Sequence, residues 1–220
     1  MTFYSKNFDI YYTKDDLDYI PEIINSLTER IPELTNFFKL ENLDTKDKPQ
    51  IILYNNYNQF RNDCVIYNIG SSSYIVAFFK RIHGINTIRA LNLKEQKKGT
   101  GHENDNLEKL MLRLLHEYAH FLHRIKINMP LTEGSTLWFI EGLATTITHQ
   151  YDHLPLETTC NIEDITNQKV GYNTYRTLVT YLLQEYGQEF LLNILDKKDV
   201  QEKLLPTICE EINHKNTLKK

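Results

Sequence analysis

Three kinds of signal are scarce or missing in this 220-residue chain. Basic charge is the first: 25 Lys and Arg stand against 29 Asp and Glu, a formal net charge of −4. Without a basic surface, neither nucleic acid nor an anionic membrane is an expected partner. Long apolar runs are the second. Nothing approaches the ~18 apolar residues required to span a bilayer. The first thirty residues hold no apolar run with basic flanks and no small-residue cleavage site. A cytoplasmic chain is therefore expected, although export by a specialised route would leave the same sequence. Cysteine is the third. Cys64, Cys160 and Cys209 are far apart and odd in number, and no CxxC is present. Neither a disulfide framework nor a cysteine zinc site is indicated, so buried, reduced thiols are expected. There is no internal repeat, low-complexity tract or domain linker. With 41% apolar and 25% charged residues, the composition fits one globular domain of two lobes, about 1–127 and about 128–220.

What is present centres on His116-Glu117-Tyr118-Ala119-His120 and on Trp138-Phe139-Ile140-Glu141-Gly142-Leu143-Ala144. In a helix, the first segment puts two imidazoles one turn apart, where both can point at one ion. Glu117 lies on the flank of that turn, within reach of a water rather than of the metal. Leu107, Leu110, Met111, Leu114, Leu115, Tyr118 and Leu122 fall on one helical face. At about 100° per residue, His116, His120 and His123 project from the opposite face. Glu141 stands in an apolar run, where a carboxylate is expensive to bury unless something cationic receives it. Two His and one Glu leave a tetrahedral Zn²⁺ one open position, as a catalytic site requires.

HEYAH followed after twenty intervening residues by WFIEGLA resembles the gluzincin branch of zinc metallopeptidases, in particular the compact peptidase-MA-like domains with HExxH and WxxEGxA. The resemblance implies that His116, His120 and Glu141 bind one catalytic Zn²⁺ and that Glu117 is the general base. Tyr172, then Val179-Thr180-Tyr181-Leu182, then Tyr186-Gly187 match the family's downstream pattern. They make Tyr172 the first candidate to stabilise the oxyanion, with Tyr175 in reserve. The likeness spans nearly the whole sequence.

Departures from related patterns narrow the expectation. The metzincin pattern would need Gly at position 123 and His at 126, where this chain has His123 and Lys126. With the ligand set complete, His123 is expected beside the ligands or exposed, not as a ligand. Thermolysin-like enzymes carry an Asp four residues after the ligand Glu; Thr145 stands there, and its hydroxyl, or an acid elsewhere in the chain, is the candidate to orient a ligand His. No stretch of the kind that holds a substrate N-terminus in aminopeptidase relatives is present, so endopeptidase action on a peptide or protein substrate is expected. The alternative is a non-catalytic zincin-fold module that binds a peptide or regulates a partner, with zinc as a structural pin. A second rival is a helical interaction protein whose HEYAH is accidental.

Taken in order, the chain reads as α+β: a small N-terminal mixed sheet with helices, then a mostly helical C-terminal half, zincin-like by the resemblance. Strands are predicted at Phe8–Tyr12, Ile51–Tyr54, Tyr74–Phe79 and Ile85–Leu93, the last two as a hairpin around Arg81–Gly84. Residues 85–93 are a candidate substrate ledge, by analogy with the family's edge strand. Helices are predicted at 15–39, broken or kinked at Pro32, and at Tyr57–Cys64. The metal helix should be capped by Asp105 or Asn104 and run to about Lys126. A further helix at 136–150 should be capped by Ser135, with Gly142 letting the two zinc helices approach closely. Ser71-Ser72-Ser73 reads as a solvated turn. Residues 94–106, with His102, and 151–171, with His153, read as loops, the second bordering the cleft. His149 and His153 are expected at the surface. Helices over Tyr172–Tyr186 and near Val200–Ile212 complete the chain before a polar tail at Lys215–Lys220.

Overall fold

A computed structural model describes residues 1–41, 43–70 and 72–217. Ser71 of the serine run and residues 218–220 of the predicted tail lie outside the described residues. The chain divides into two compact units, Met1–Leu122 and His123–Lys220.

The first unit is built on a mixed five-stranded sheet of order β1-β2-β3-β5-β4. Its strands are β1 (Thr2–Tyr4), β2 (Asp9–Tyr11), β3 (Gln50–Tyr54), β4 (Ala77–Ile82) and β5 (Ile85–Leu91). β2, β3 and β5 run parallel, and β1 and β4 flank them antiparallel. The hydrophobic run at Ile51–Tyr54 gives a central strand, as its pattern predicts. β1 was not foreseen: three residues carry too little alternation to signal a strand. The β4–β5 turn uses His83 and Gly84, both at positive φ (48° and 83°), the demand of a tight two-residue hairpin.

The expectation that 85–93 forms an exposed edge is overturned. β5 pairs with β3 on one side and β4 on the other, and its Ile88, Ala90 and Leu91 are fully buried. A strand paired on both sides has no free backbone groups to offer. The edge is β4. Leu91 donates its N–H to the Val76 carbonyl, so alternation along an antiparallel ladder turns the backbone groups of Ala77, Phe79 and Arg81 outward.

Helices cover the sheet. A 3-10 turn at Lys14–Asp16 leads into α1 (Ile20–Phe37), which buries Ile20, Ile23, Leu27, Ile31 and Leu34 at helical spacing. α1 continues through Pro32 instead of ending there. α2 (Tyr57–Ile66) packs Phe60 and Cys64 against Tyr54, Val76, Phe78 and Leu91. Asp63 of α2 accepts from Arg89 and from the Tyr54 hydroxyl, fastening helix to sheet. The predicted loop at 94–106 holds a one-turn helix, α3 (Leu93–Gln96), capped by Asn92. α4 (Leu107–Ile127) follows. Its cap is Asn106, whose side chain accepts from the Lys109 N–H, not Asp105 or Asn104. Asp105 is used otherwise: it receives Arg113, Lys109 and His102.

The second unit is helical. After the last turns of α4 come α5 (Leu131–Gly134), α6 (Leu137–Ile147), α7 (Ile162–Thr166), α8 (Tyr172–Asn193) and α9 (Lys198–Thr217). α8 is interrupted at Gly187, which adopts φ 78°, ψ 173°, a conformation that glycine tolerates and other residues avoid. The predicted cap of α6 is corrected. Thr136, not Ser135, is the N-cap, and its backbone N–H and hydroxyl both donate to the buried Gln201 side chain. Ser135 donates to the Leu195 carbonyl.

The expected three free thiols are corrected as well. Cys160 and Cys209 form a disulfide, while Cys64 is a buried thiol. Asn213 reinforces the link by exchanging two hydrogen bonds with the Cys160 backbone, at 2.8 and 3.0 Å. A pairing across 49 residues leaves no spacing signature in a chain with three cysteines. No helix among the described residues is long and apolar enough to cross a membrane.

Candidate metal centre

α4 carries the paired imidazoles because its periodicity is strict. Leu110, Leu114, Tyr118 and Leu122 are fully buried, and the Tyr118 hydroxyl donates to the Asn7 carbonyl at 3.1 Å. With that face fixed, His116 and His120 stand one turn apart on another. Their ring centroids lie 4.5 Å apart with planes at 87°. Both are largely buried, at 6% and 7% exposure. Phe121, next to His120, packs against Phe79 of the edge strand β4, centroids 6.0 Å apart.

Glu141 comes from α6, whose Trp138, Phe139, Ile140, Leu143 and Ala144 are buried around it. The candidate ligand atoms of His116, His120 and Glu141 all lie within 4.8 Å of one another. This group can hold a metal ion. Its donor chemistry suits a divalent ion such as zinc: two imidazole nitrogens and one carboxylate oxygen. Glu117 is half-buried in the same turn of α4.

Around Glu141 the local packing is close. A Cβ on Gly142 would come within 2.4 Å of the Tyr175 carbonyl, so the helix that Gly142 admits is α8, not the histidine helix expected from sequence. Thr145 does not serve a ligand His. Its hydroxyl is buried and donates to the Glu141 and Gly142 carbonyls of its own helix, at 2.7 and 3.0 Å.

The two candidate tyrosines fall in different surroundings. Tyr172 is 46% exposed and lies parallel to the Tyr151 ring. Tyr175 is 5% exposed, and its hydroxyl is held above the usual phenol value, first by burial and then by the negative charge of Glu141. It therefore stays a protonated donor near the Glu141 carboxylate.

The remaining histidines separate cleanly. His123 is buried, not exposed. It is 1% exposed, and its Nε2 lies 3.3 Å from both the Leu195 carbonyl and the Ser135 hydroxyl. His149 and His153 are at the surface, as expected; His149 meets Asp152 at 2.7 Å and His153 stacks on Tyr151. Sequence reasoning missed Gln201 and Arg176. Arg176 is buried and bonds the Leu154 carbonyl and Asn173, organising the 151–171 segment. Neither belongs to a pattern, so only tertiary placement reveals them.

No family model, no curated protein and no solved structure matches this chain.

Proposed function

We propose that this chain is a zinc-dependent peptidase of the gluzincin type on a zincin-like fold, acting as an endopeptidase on a peptide or protein substrate. The observation that carries this reading is the convergence of His116, His120 and Glu141 within 4.8 Å, with Glu117 in the adjoining turn. A zinc ion bound to that set supplies a Lewis acid that brings the pKa of a water to about 7 and polarises a carbonyl. Glu117 takes the proton from the attacking water and returns it to the leaving amine. Tyr175 donates its hydroxyl to the carbonyl oxygen as charge develops there; its burial beside Glu141 supports it over Tyr172, the sequence's first choice. β4 takes the ledge role that the sequence suggested for 85–93. Its outward-facing Ala77, Phe79 and Arg81 can pair with an extended backbone whatever its side chains.

The Cys160–Cys209 disulfide supports an oxidising compartment over the cytoplasm expected from sequence.

The test is metal analysis of the purified chain, followed by cleavage of casein and quenched peptides. We expect about one zinc per chain and cleavage that a chelator abolishes and added zinc restores. Protein that holds no zinc, or zinc-loaded protein that cleaves nothing, overturns the reading.

A further inference from the structure

The segment between α6 and α8 carries aromatic side chains whose arrangement the ligand set does not require. His153 and Tyr151 lie 6.3 Å apart at 30°, and Tyr151 and Tyr172 lie 6.3 Å apart at 11°. Tyr172 meets Tyr175 edge to face at 6.5 Å. Four rings thus form one continuous row. The outer part reaches solvent: His153 is exposed and Tyr172 is 46% exposed. The inner end, Tyr175, is 5% exposed, and its backbone carbonyl lies against Gly142, the residue after Glu141.

The row is held in place from behind. Arg176 bonds the Leu154 carbonyl at 3.1 Å and Asn173 at 2.8 Å and meets Asp152. Asn173 donates to the Pro155 carbonyl, and Glu157 bonds Thr174 and Thr177. These contacts tie the strip bearing Tyr151 and His153 to the first turns of α8. Leaving rings half in water forgoes hydrophobic burial, and solvated turns are ordinarily built from small polar residues. Rings lined up from solvent to the turn of α8 that packs on Gly142 are suited to receive an apolar, planar side chain arriving with a substrate.

We infer that the Tyr151–Tyr172 row is an aromatic ledge that selects substrates carrying a large aromatic side chain near the scissile bond. This rests on the peptidase reading and names the substrate class of that site. Tyr172 then acts through its ring, not its hydroxyl. Contact with one ring of the row should favour an aromatic over an alanine side chain by about threefold to tenfold.

The test uses the full chain and quenched octapeptides of alanine and glycine in which a single Phe occupies each position in turn. At one position Phe should raise kcat/KM over the all-alanine peptide by that factor. Tyr172→Phe, which keeps the ring and removes the hydroxyl, should keep the preference, whereas Tyr172→Ala and Tyr151→Ala should abolish it. In parallel, fluorescein-labelled versions of the peptides are titrated against Glu117→Gln protein and read by anisotropy. The Phe peptide should bind several-fold tighter, and Tyr172→Ala in that background should remove the difference. Cleavage with no Phe preference at any position overturns the ledge, as does a preference that survives both alanine variants or is lost in Tyr172→Phe. Should no peptide be cleaved, the peptidase reading fails. The anisotropy titration then decides the ledge alone, with equal binding of both peptides overturning it.

Discussion

Gly142 and the backbone carbonyl of Tyr175 leave no room between them for a side chain: a Cβ at position 142 would stand 2.4 Å from that oxygen. The residue following Glu141 is thereby the contact point of two packed helices. Gly142→Ala must push α6 from α8, and overpacking of this kind destabilises by about 1–3 kcal/mol. Thermal unfolding should show a clear drop in Tm, and zinc occupancy should fall with it. A variant as stable as the parent would mean that the helices are not so tightly apposed.

Glu117→Gln separates base from ligand. The amide cannot accept the water proton, so hydrolysis should vanish while zinc stays bound. His116→Ala should lose both. Metal analysis beside peptide cleavage reads the two cases; full zinc in His116→Ala would remove it from the ligand set.

Tyr175→Phe deletes one hydroxyl from a buried position. If that hydroxyl stabilises the developing oxyanion, kcat should fall by about 10²–10³ with little change in KM. An unchanged kcat would take Tyr175 out of the mechanism.

Asp105 gives a pH dependence with a definite sign. Burial pushes its carboxyl up, but the hydrogen bond and charge of Arg113, then Lys109 and His102, leave it below the ordinary 3.8. A depressed native value means that the stabilisation is complete above the unfolded value and is lost as pH falls through the native one. Asp105→Asn should therefore destabilise by about 1–3 kcal/mol near neutral pH. Urea unfolding should show the gap to the parent constant down to about pH 4 and narrowing below it. A gap that widens in acid would reverse the assignment.

Reducing Cys160–Cys209 releases a loop closed across 49 residues, which in chain-entropy terms costs about 2–4 kcal/mol of stability. Cys209→Ser and reductant should lower Tm alike, and reductant should do nothing further to the variant. Additive effects would mean that another group responds to the reductant.

The helical period was legible wherever a long apolar stripe ran against polar residues, as in α1 and α4. The two imidazoles could be placed on a common face from spacing alone, because four residues make about one turn. The central position of β3 was legible too, since Ile51, Ile52 and Leu53 leave no polar face. The order of the strands was not. β5 reads the same whether it lies at an edge or inside, and only pairing with both β3 and β4 decides it. Caps failed for a related reason. Asn106, Asp105 and Asn104 are chemically equivalent candidates, and the choice fell to Asn106 because Arg113 claims Asp105.

By itself, the sequence determined which donors could meet a metal, since residue type and local spacing are fixed by the chain's own covalent order. Everything that depends on residues distant in the chain was decided by tertiary structure. That includes the meeting of Glu141 with His116 and His120, the bond between Cys160 and Cys209, the buried Gln201 beneath Thr136, and the choice between an inner Tyr175 and an outer Tyr172. The physical reason is that a side chain's burial and partners are set by which elements pack against it: Tyr172 and Tyr175 share a face of α8, yet Tyr172 at the helix start is 46% exposed and Tyr175, where α6 packs, is 5% exposed.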